Sequence, residues 1–264
     1  MGLYKILKSA SEGVKNQNRR RAYHGSPHDF DEFSSEKIGT GEGAQAKGHG
    51  LYFSDSEEVA KGYRDALTPR NEGYESYLLE EMNRAMRSED YLRADLLERA
   101  LLHQTPKDFR DMAADPEYDD TYREMAEEFA DEIESMNVNF GRVYTVEIPD
   151  ESSMLDWDLS GREQPDSVKK ILRDAGIYND EMGGMDIYYR SVPRETPVLE
   201  AQEKATKRLK DIGISGIKYK GMESGETNFV VFDEGTIKVI DKYGVPLAVG
   251  TGAAAVVEKE TGTQ

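Results

Sequence analysis

The chain has 264 residues, contains no cysteine and carries a net charge of −18. This length allows one large domain, or one domain with an insertion, to bury a core. The missing cysteines exclude a disulfide framework and a thiolate zinc site, which suits an intracellular or virion-borne protein. Most of the surface would repel a nucleic-acid backbone, so bulk binding of nucleic acid is not expected. No secretory signal is recognised at the N-terminus.

Residues 1–21 form a predicted basic arm. The first 24 residues hold six lysines and arginines against Glu12 alone, a net charge of +5. Helical spacing from residue 2 to 16 collects apolar side chains on one face, and residues 16–21 read as a polar linker. The face predicts docking on the domain itself or on a partner, and the alternative is an anchor at a membrane surface. The apolar side chains are Leu3, Ile6, Leu7, Ala10 and Val14.

Residues 22–73 contain two short strands and a helix. The first strand covers residues 21–24 and stops at Pro27, which has no backbone donor. A glycine-rich loop over residues 39–50 follows, and it lacks the Gly-Lys-Ser/Thr sequence of a Walker-type phosphate loop. The second strand covers residues 51–53. Ser54 or Asp55 is the expected N-cap of the next helix, which ends before Pro69.

Residues 74–137 are predicted to be a helical insertion. Apolar residues recur at helical spacing from Tyr77 to Met136, with interruptions at Pro106 and Pro116, and indicate three helices. Residues 111–135 carry eleven acidic side chains and one arginine. Such a run is typical of a solvated helix face, and a docking surface for a basic partner is the alternative.

Residues 138–242 return the chain to a sheet. Residues 141–149 alternate as a strand does, two helices follow near residues 167–175 and 200–211, and Gly213 ends the second. Three further strands are predicted at 214–220, 227–232 and 236–240. Strands at both ends of a helical segment, without a βαβ rhythm, indicate the α+β class. Residues 243–264 form a small-residue tail whose 13-residue apolar run is shorter than the ~20 residues that span a bilayer.

Two motifs in the first half carry chemical information. Tyr23-His-Gly-Ser-Pro is followed by Gly50-Leu-Tyr-Phe, and Tyr63 comes eleven residues after Tyr52. This arrangement resembles the ADP-ribosyltransferases of the diphtheria-toxin and poly(ADP-ribose)-polymerase type. The resemblance covers residues 22–70 and 141–241. It implies a split antiparallel β core, into which the acidic helical segment is inserted, and NAD as the substrate.

The resemblance also implies roles for single residues. His24 would bond a ribose hydroxyl, the backbone of Gly25 would pair with the nicotinamide amide, and Tyr52 and Tyr63 would sandwich the nicotinamide ring. The alternative for the two tyrosines is ordinary core packing. Three neighbouring residues of the motifs are predicted to join the cofactor-binding set: Ser26, Phe53 and Ser54.

The third motif departs from the family pattern. Residues 227–233 align with the late strand of the polymerases, but Asn228 stands where their catalytic glutamate lies. Glu226 lies two residues earlier, so both side chains share one strand face. The predicted catalytic set is therefore His24, Tyr52, Glu226 and Asn228, with Glu223 in the preceding loop as the alternative acid.

Residues 37–46 and 155–158 look like bacteriophage versions of this fold, known from polyvalent phage proteins. The sequence thus predicts a phage mono-ADP-ribosyltransferase that modifies a host protein, in the host cytoplasm or carried in the virion. The rival interpretation is a virion structural protein with a catalytically weak domain, whose arm and tail contact other virion proteins. No metal is expected, because the four histidines are dispersed without ligand spacing.

Overall fold

The computed structural model describes residues 19–39, 45–69, 71–190, 192, 197–221, 225–242 and 245–246. The predicted helix of residues 2–16, the tail beyond residue 246 and the alternative acid Glu223 lie outside the described residues. Within the described part, eight strands form one sheet in the order β4-β5-β6-β2-β1-β3-β7-β8. The strands are β1 (Arg19–Ser26), β2 (Leu51–Ser54), β3 (Arg142–Pro149), β4 (Met154–Asp156), β5 (Gly216–Lys220), β6 (Thr227–Val231), β7 (Lys238–Lys242) and β8 (Val245–Pro246).

The side-chain alternation of β6 separates two apolar layers. Phe229 and Val231 pack on one face with side chains of β1, β2 and β3. Val230 packs on the opposite face, in a cluster with helical side chains such as Leu172 and Leu209. All five residues of β6 are buried, so this strand lies inside the domain. Residues 226 and 228 therefore stand at the end of a fixed strand.

Some helices pack against the sheet, and four consecutive helices pack mainly with one another. In the described residues they are α1 (Glu57–Leu67), α2 (Glu72–Arg87), α3 (Tyr91–Leu101), α4 (Pro106–Ala114), α5 (Asp120–Ser135), α6 (Asp166–Asp174), α7 (Gly184–Tyr189) and α8 (Val198–Asp211). Helices α2 to α5 share an apolar cluster that includes Leu97, Phe109 and Phe129. None of the described helices is long and apolar enough to cross a membrane.

The segment predicted as three helices contains four. The continuous apolar pattern hid a break between α2 and α3, where Glu89 has a φ of +60° and Asp90 caps α3 by accepting from Arg93 N. The cap of α1 also differs from the prediction. Ser56 Oγ accepts from Val59 N at 3.3 Å, whereas the Ser54 hydroxyl accepts from Ser56 N one turn earlier.

Other differences concern elements that depend on distant partners. Strand β1 begins at Arg19, so residues 19–21 belong to the sheet and not to a linker, as the pairing of Arg19 with Pro149 shows. Strand β4 was not predicted, and it pairs with β5 in parallel, Met154 opposite Gly216. The α+β mixture agrees with the prediction, but the core is not purely antiparallel. A three-residue strand is too short to show alternation, and so only its partner reveals it.

Candidate active site

A cleft opens where β1 and β2 separate. In the described pairing these strands are in register at Tyr23 and Ser54. Continuing that register would place Gly25 opposite Tyr52, but there the His24 side chain contacts the Tyr52 carbonyl oxygen, with Nδ1 at 2.8 Å. The imidazole thus contacts β2 where a ladder hydrogen bond would otherwise form. This separation gives a ligand access to the backbone of Gly25 and to the face of Tyr52.

The cleft has a volume of about 150 Å³. A cavity of that size accommodates one aromatic ring, as engineered cavities of ~150 Å³ that bind benzene illustrate. Larger parts of a dinucleotide would therefore extend over the open surface. Its lining includes His24, Gly25, Tyr52, Ser54, Tyr63, Tyr219 and Asn228.

His24 is held as a neutral hydrogen-bond acceptor. A carbonyl oxygen only accepts, so the contact with Tyr52 places the proton on Nδ1 and leaves Nε2 with its lone pair. The ring is half-buried among aromatic side chains, with centroids 5.1 Å from Phe33 and 5.6 Å from Phe53. Burial lowers the pKa of His24 below the ordinary value of 6.5, and the bond to Tyr52 only partly offsets it. Nε2 can therefore accept a hydrogen bond from a hydroxyl group at neutral pH.

This arrangement gives a pH prediction. NAD is the ligand that the motif resemblance implies. Its affinity is expected to stay constant as the pH falls through 6.5, and to weaken only below the lowered pKa of His24, where Nε2 becomes protonated. As the pH falls, His24 is protonated in the unfolded chain at a higher pH than in the folded protein. The contribution of His24 to the free energy of unfolding should therefore be fully present above pH 6.5 and decrease as the pH falls from 6.5 toward the lowered pKa. Calorimetric titrations across this range measure the affinity. The exposed His28→Gln variant should reproduce the wild-type profile, and a midpoint above 6.5 would contradict the assignment.

Among the described residues, four tyrosines line the cleft, and three of them differ in how they are held. The Tyr52 hydroxyl donates to the Gly48 carbonyl oxygen at 2.8 Å and accepts from Lys47 N at 3.2 Å, which fixes its ring. Tyr63 on α1 is 53% exposed, which argues against a core-packing role. Tyr219 on β5 was not predicted from the sequence. Burial, chiefly, raises the pKa of both Tyr52 and Tyr219, so both phenols stay neutral.

Gly25 packs so closely against α1 that no side chain would fit at this position. A Cβ atom at this position would come within 1.9 Å of the Ala60 carbonyl oxygen and 2.6 Å of Arg64 N. The absence of a side chain therefore sets the distance between α1 and β1, and with it the width of the cleft. Ala60 also lines the cleft.

Of the three remaining predicted binding residues, two line the cleft and one does not. Ser26 does not line the cleft, and its hydroxyl accepts from His28 N at 3.1 Å in the turn after β1. Phe53 lines the cleft, but it is buried in a core cluster, with its ring centroid 5.6 Å from that of His24. Ser54 lines the cleft and is buried, opposite Asn228 on β6.

Glu226 and Asn228 lie together at the start of β6. The Asn228 amide nitrogen is 3.4 Å from Glu226 Oε1, and Asn228 is buried and lines the cleft, opposite Tyr219 on β5. Glu226 is half-exposed just outside the lining residues, with its carboxylate against Gly221. A carboxylate here can place negative charge beside a ligand that is held by Asn228.

Asp55 fixes this strand end, a role that was not predicted from the sequence, where Asp55 was only a candidate N-cap. Its Oδ1 accepts from Thr227 N at 2.9 Å, while its own backbone N–H donates to Thr227 O at 2.9 Å. Arg20 bonds the other carboxylate oxygen at 3.0 Å. The two bonds to Thr227 hold the segment that carries Glu226 and Asn228. The sequence hints at this role only through the acidic residue that directly follows β2.

No group of three or more potential metal-ligating side chains occurs among the described residues. No curated protein and no solved structure matches the chain. The family model described as ADP-Ribosyltransferase in polyvalent proteins matches residues 18–244, a range that contains strands β1 to β7 and all the described helices. This family uses NAD as its substrate. On the strength of that match, the chain belongs to the ADP-ribosyltransferases of polyvalent proteins.

Proposed function

We propose that the chain is a mono-ADP-ribosyltransferase that moves ADP-ribose from NAD to a protein of a host cell. The observation that carries the proposal is the convergence of an imidazole acceptor, His24, with Tyr52, Tyr63 and Tyr219 on the cleft where β1 and β2 separate. A set of this kind can hold an aromatic ring and a neighbouring sugar hydroxyl in one orientation.

In the proposed complex the nicotinamide ring lies between Tyr52 and Tyr63, and its amide pairs with the backbone of Gly25. Each aromatic pair contributes ~0.5–1.5 kcal/mol beyond the area that it buries. His24 Nε2 accepts a hydrogen bond from a ribose hydroxyl. The cleft volume of about 150 Å³ suits the nicotinamide ring, and the adenosine part would lie on the open side.

The reaction breaks the bond between the ribose C1′ and the nicotinamide nitrogen, and the bonding electrons leave with nicotinamide. A nucleophile of the acceptor protein then forms a bond to C1′ and loses its proton. Positive charge develops on the ribose as the bond breaks, as it does in glycoside hydrolysis. Glu226 would stabilise that charge, while Asn228 would bond a ribose hydroxyl.

Single transfer is proposed over chain formation because the polymerases elongate with a glutamate at the position of Asn228. A protein acceptor suits the net charge of −18, which opposes binding of nucleic acid. The likeness of residues 37–46 and 155–158 to bacteriophage versions supports a host protein as target. The protein would then act in the host cytoplasm or travel in the virion.

A second candidate function is a virion structural protein that retains NAD binding with little transfer. The specific observation in its favour is the amide of Asn228 in the cleft, with Glu226 outside the lining residues. In that case the surfaces of the chain would serve contacts with other virion proteins. Fold alone does not decide between the two functions.

Labelled NAD distinguishes them. The full chain is incubated with NAD that is labelled in the adenylate part, together with a bacterial lysate, and labelled proteins are separated by electrophoresis. We expect labelled protein bands with the wild type and none with His24→Ala. NAD binding by calorimetry without any labelled band, at any enzyme concentration, would support the structural function. Absence of both binding and label would contradict both proposals.

The stacking role of Tyr63 gives a second prediction. Tyr63→Ala is expected to weaken NAD binding about twofold to tenfold, the loss of one aromatic pair. The melting temperature of the unliganded protein should hardly change, because the ring is 53% exposed. Tyr91→Ala removes another exposed tyrosine, far along the chain in α3, and should alter neither quantity. Unchanged NAD affinity, together with the ~3–5 kcal/mol stability loss of a core aromatic residue, would establish packing instead.

A further inference from the structure

We propose that the helical insertion holds α1, and with it Tyr63, in place, so that Lys61, Arg64 and Asp108 are positioning residues of the NAD cleft. The inference rests on the proposed function in one respect, the contact of Tyr63 with nicotinamide. It assigns to the insertion a task within the site, in addition to any contact with partners.

The sheet fixes only one side of α1. There the backbone of the helix lies directly on Gly25. On the side of the insertion, Lys61 Nζ lies 3.3 Å from Asp108 Oδ1, and Arg64 Nη2 donates to the His103 carbonyl oxygen at 3.4 Å. The contact of Lys61 reaches the first turn of α4, and the contact of Arg64 reaches the loop before that helix. Both come from the helical turn that carries Tyr63. The helix is therefore held between the sheet and the insertion.

Asp108 is itself firmly placed. Its Oδ2 accepts from Thr105 N at 2.8 Å and from Thr105 Oγ1 at 2.7 Å, in the capping box of α4. This arrangement leaves Oδ1 for Lys61. The next residue, Phe109, is fully buried against Phe129, which fixes α4 in the core of the insertion. A rigid carboxylate can hold a partner helix at low entropic cost.

The electrostatics of Asp108 agree with this geometry. Burial alone would raise its pKa, but the hydrogen bonds from Thr105 and the charges of Lys61 and Arg64 outweigh that effect, and the pKa lies below its ordinary value. The carboxylate is thus ionised in the neutral range and faces two cations of α1. The exposed Tyr63 ring, in contrast, depends on the backbone of α1 for its position.

The test replaces Lys61 by methionine, which keeps an unbranched stem and removes the charge. Lys61→Met should weaken NAD binding about threefold to tenfold, which is a typical effect of a residue that acts on a binding site through a neighbouring element. Lys107→Met is the matched control, because Lys107 on α4 forms its ion pair with Asp111, at 2.6 Å, within α4 itself. The control should bind NAD as the wild type does.

A double-mutant cycle shows whether Lys61 acts through Tyr63. In a Tyr63→Ala background, Lys61→Met should cause little further loss of NAD affinity, because the ring that it positions is already gone. Fully additive losses would overturn the inference. Asp108→Asn, which retains an acceptor for Thr105, should repeat the pattern of Lys61→Met.

Hydrogen exchange makes the test independent of NAD. In the unliganded protein, Lys61→Met should increase amide exchange in α1 severalfold relative to Lys107→Met, while exchange in β6 stays unchanged. Unchanged exchange in α1 would overturn the inference, even if the protein binds NAD. Faster exchange in a protein that does not bind NAD would instead refute the proposed function and leave the mechanical contact established.

Discussion

Glu226→Gln is expected to lower the rate of ADP-ribose transfer about 10²–10³-fold and to leave NAD affinity nearly unchanged. Removing one well-placed electrostatic partner of a transition state typically has an effect of that size. The substitution preserves shape and hydrogen bonding, including an acceptor for the Asn228 amide, which lies 3.4 Å away. Initial rates with labelled NAD and calorimetric affinities measure the two quantities. Glu203→Gln, an exposed glutamate on α8, serves as the control and should keep full activity.

The companion variant Asn228→Glu tests the departure from the family pattern. It introduces the acid that the polymerases carry, and it should raise the rate of NAD hydrolysis. Full transferase activity of Glu226→Gln would place the acid elsewhere, with Glu223 as the next candidate. An inactive wild type with an active Asn228→Glu variant would favour the structural function.

Gly25→Ala is expected to destabilise the protein by about 1–3 kcal/mol and to weaken NAD binding at least about tenfold. Overpacking of a tight contact carries a cost of that order. The added Cβ would lie 1.9 Å from the Ala60 carbonyl oxygen, so α1 must move away from β1. This movement displaces Tyr63 and the backbone that is proposed to receive the nicotinamide amide. Thermal unfolding and calorimetric titration measure the two effects.

Gly62→Ala provides a matched control within the same helix. A Cβ at Gly62 meets no atom within 4 Å, and the position lies inside α1. Alanine is the better helix former, so this variant should be more stable by about 0.5–1 kcal/mol. Its NAD affinity should equal that of the wild type. Equal stability of the two alanine variants would show that the close approach of α1 to Gly25 is not what sets the cleft.

Local sequence signals were sufficient for the elements that carry the motifs. Alternation predicted β3, strands were also predicted at the positions of β2 and β6, and Pro69 marked the end of α1, within a residue or two of the bounds in the structure. These signals work because the period of the side chains and the chemistry of a cap or a proline act within a few residues. The order of the motifs also indicated the family, which the match over residues 18–244 confirms.

Only the tertiary structure decided which distant groups meet in the cleft. Tyr219 joins it because β5 pairs with β6 in the register that sets this residue opposite Asn228. Asp55 holds the start of β6 through Thr227, a residue 172 positions further along the chain. The contact between Lys61 and Asp108 likewise crosses 47 positions. Strand register and helix docking depend on the packing of the whole core, and a local pattern contains no record of the partner.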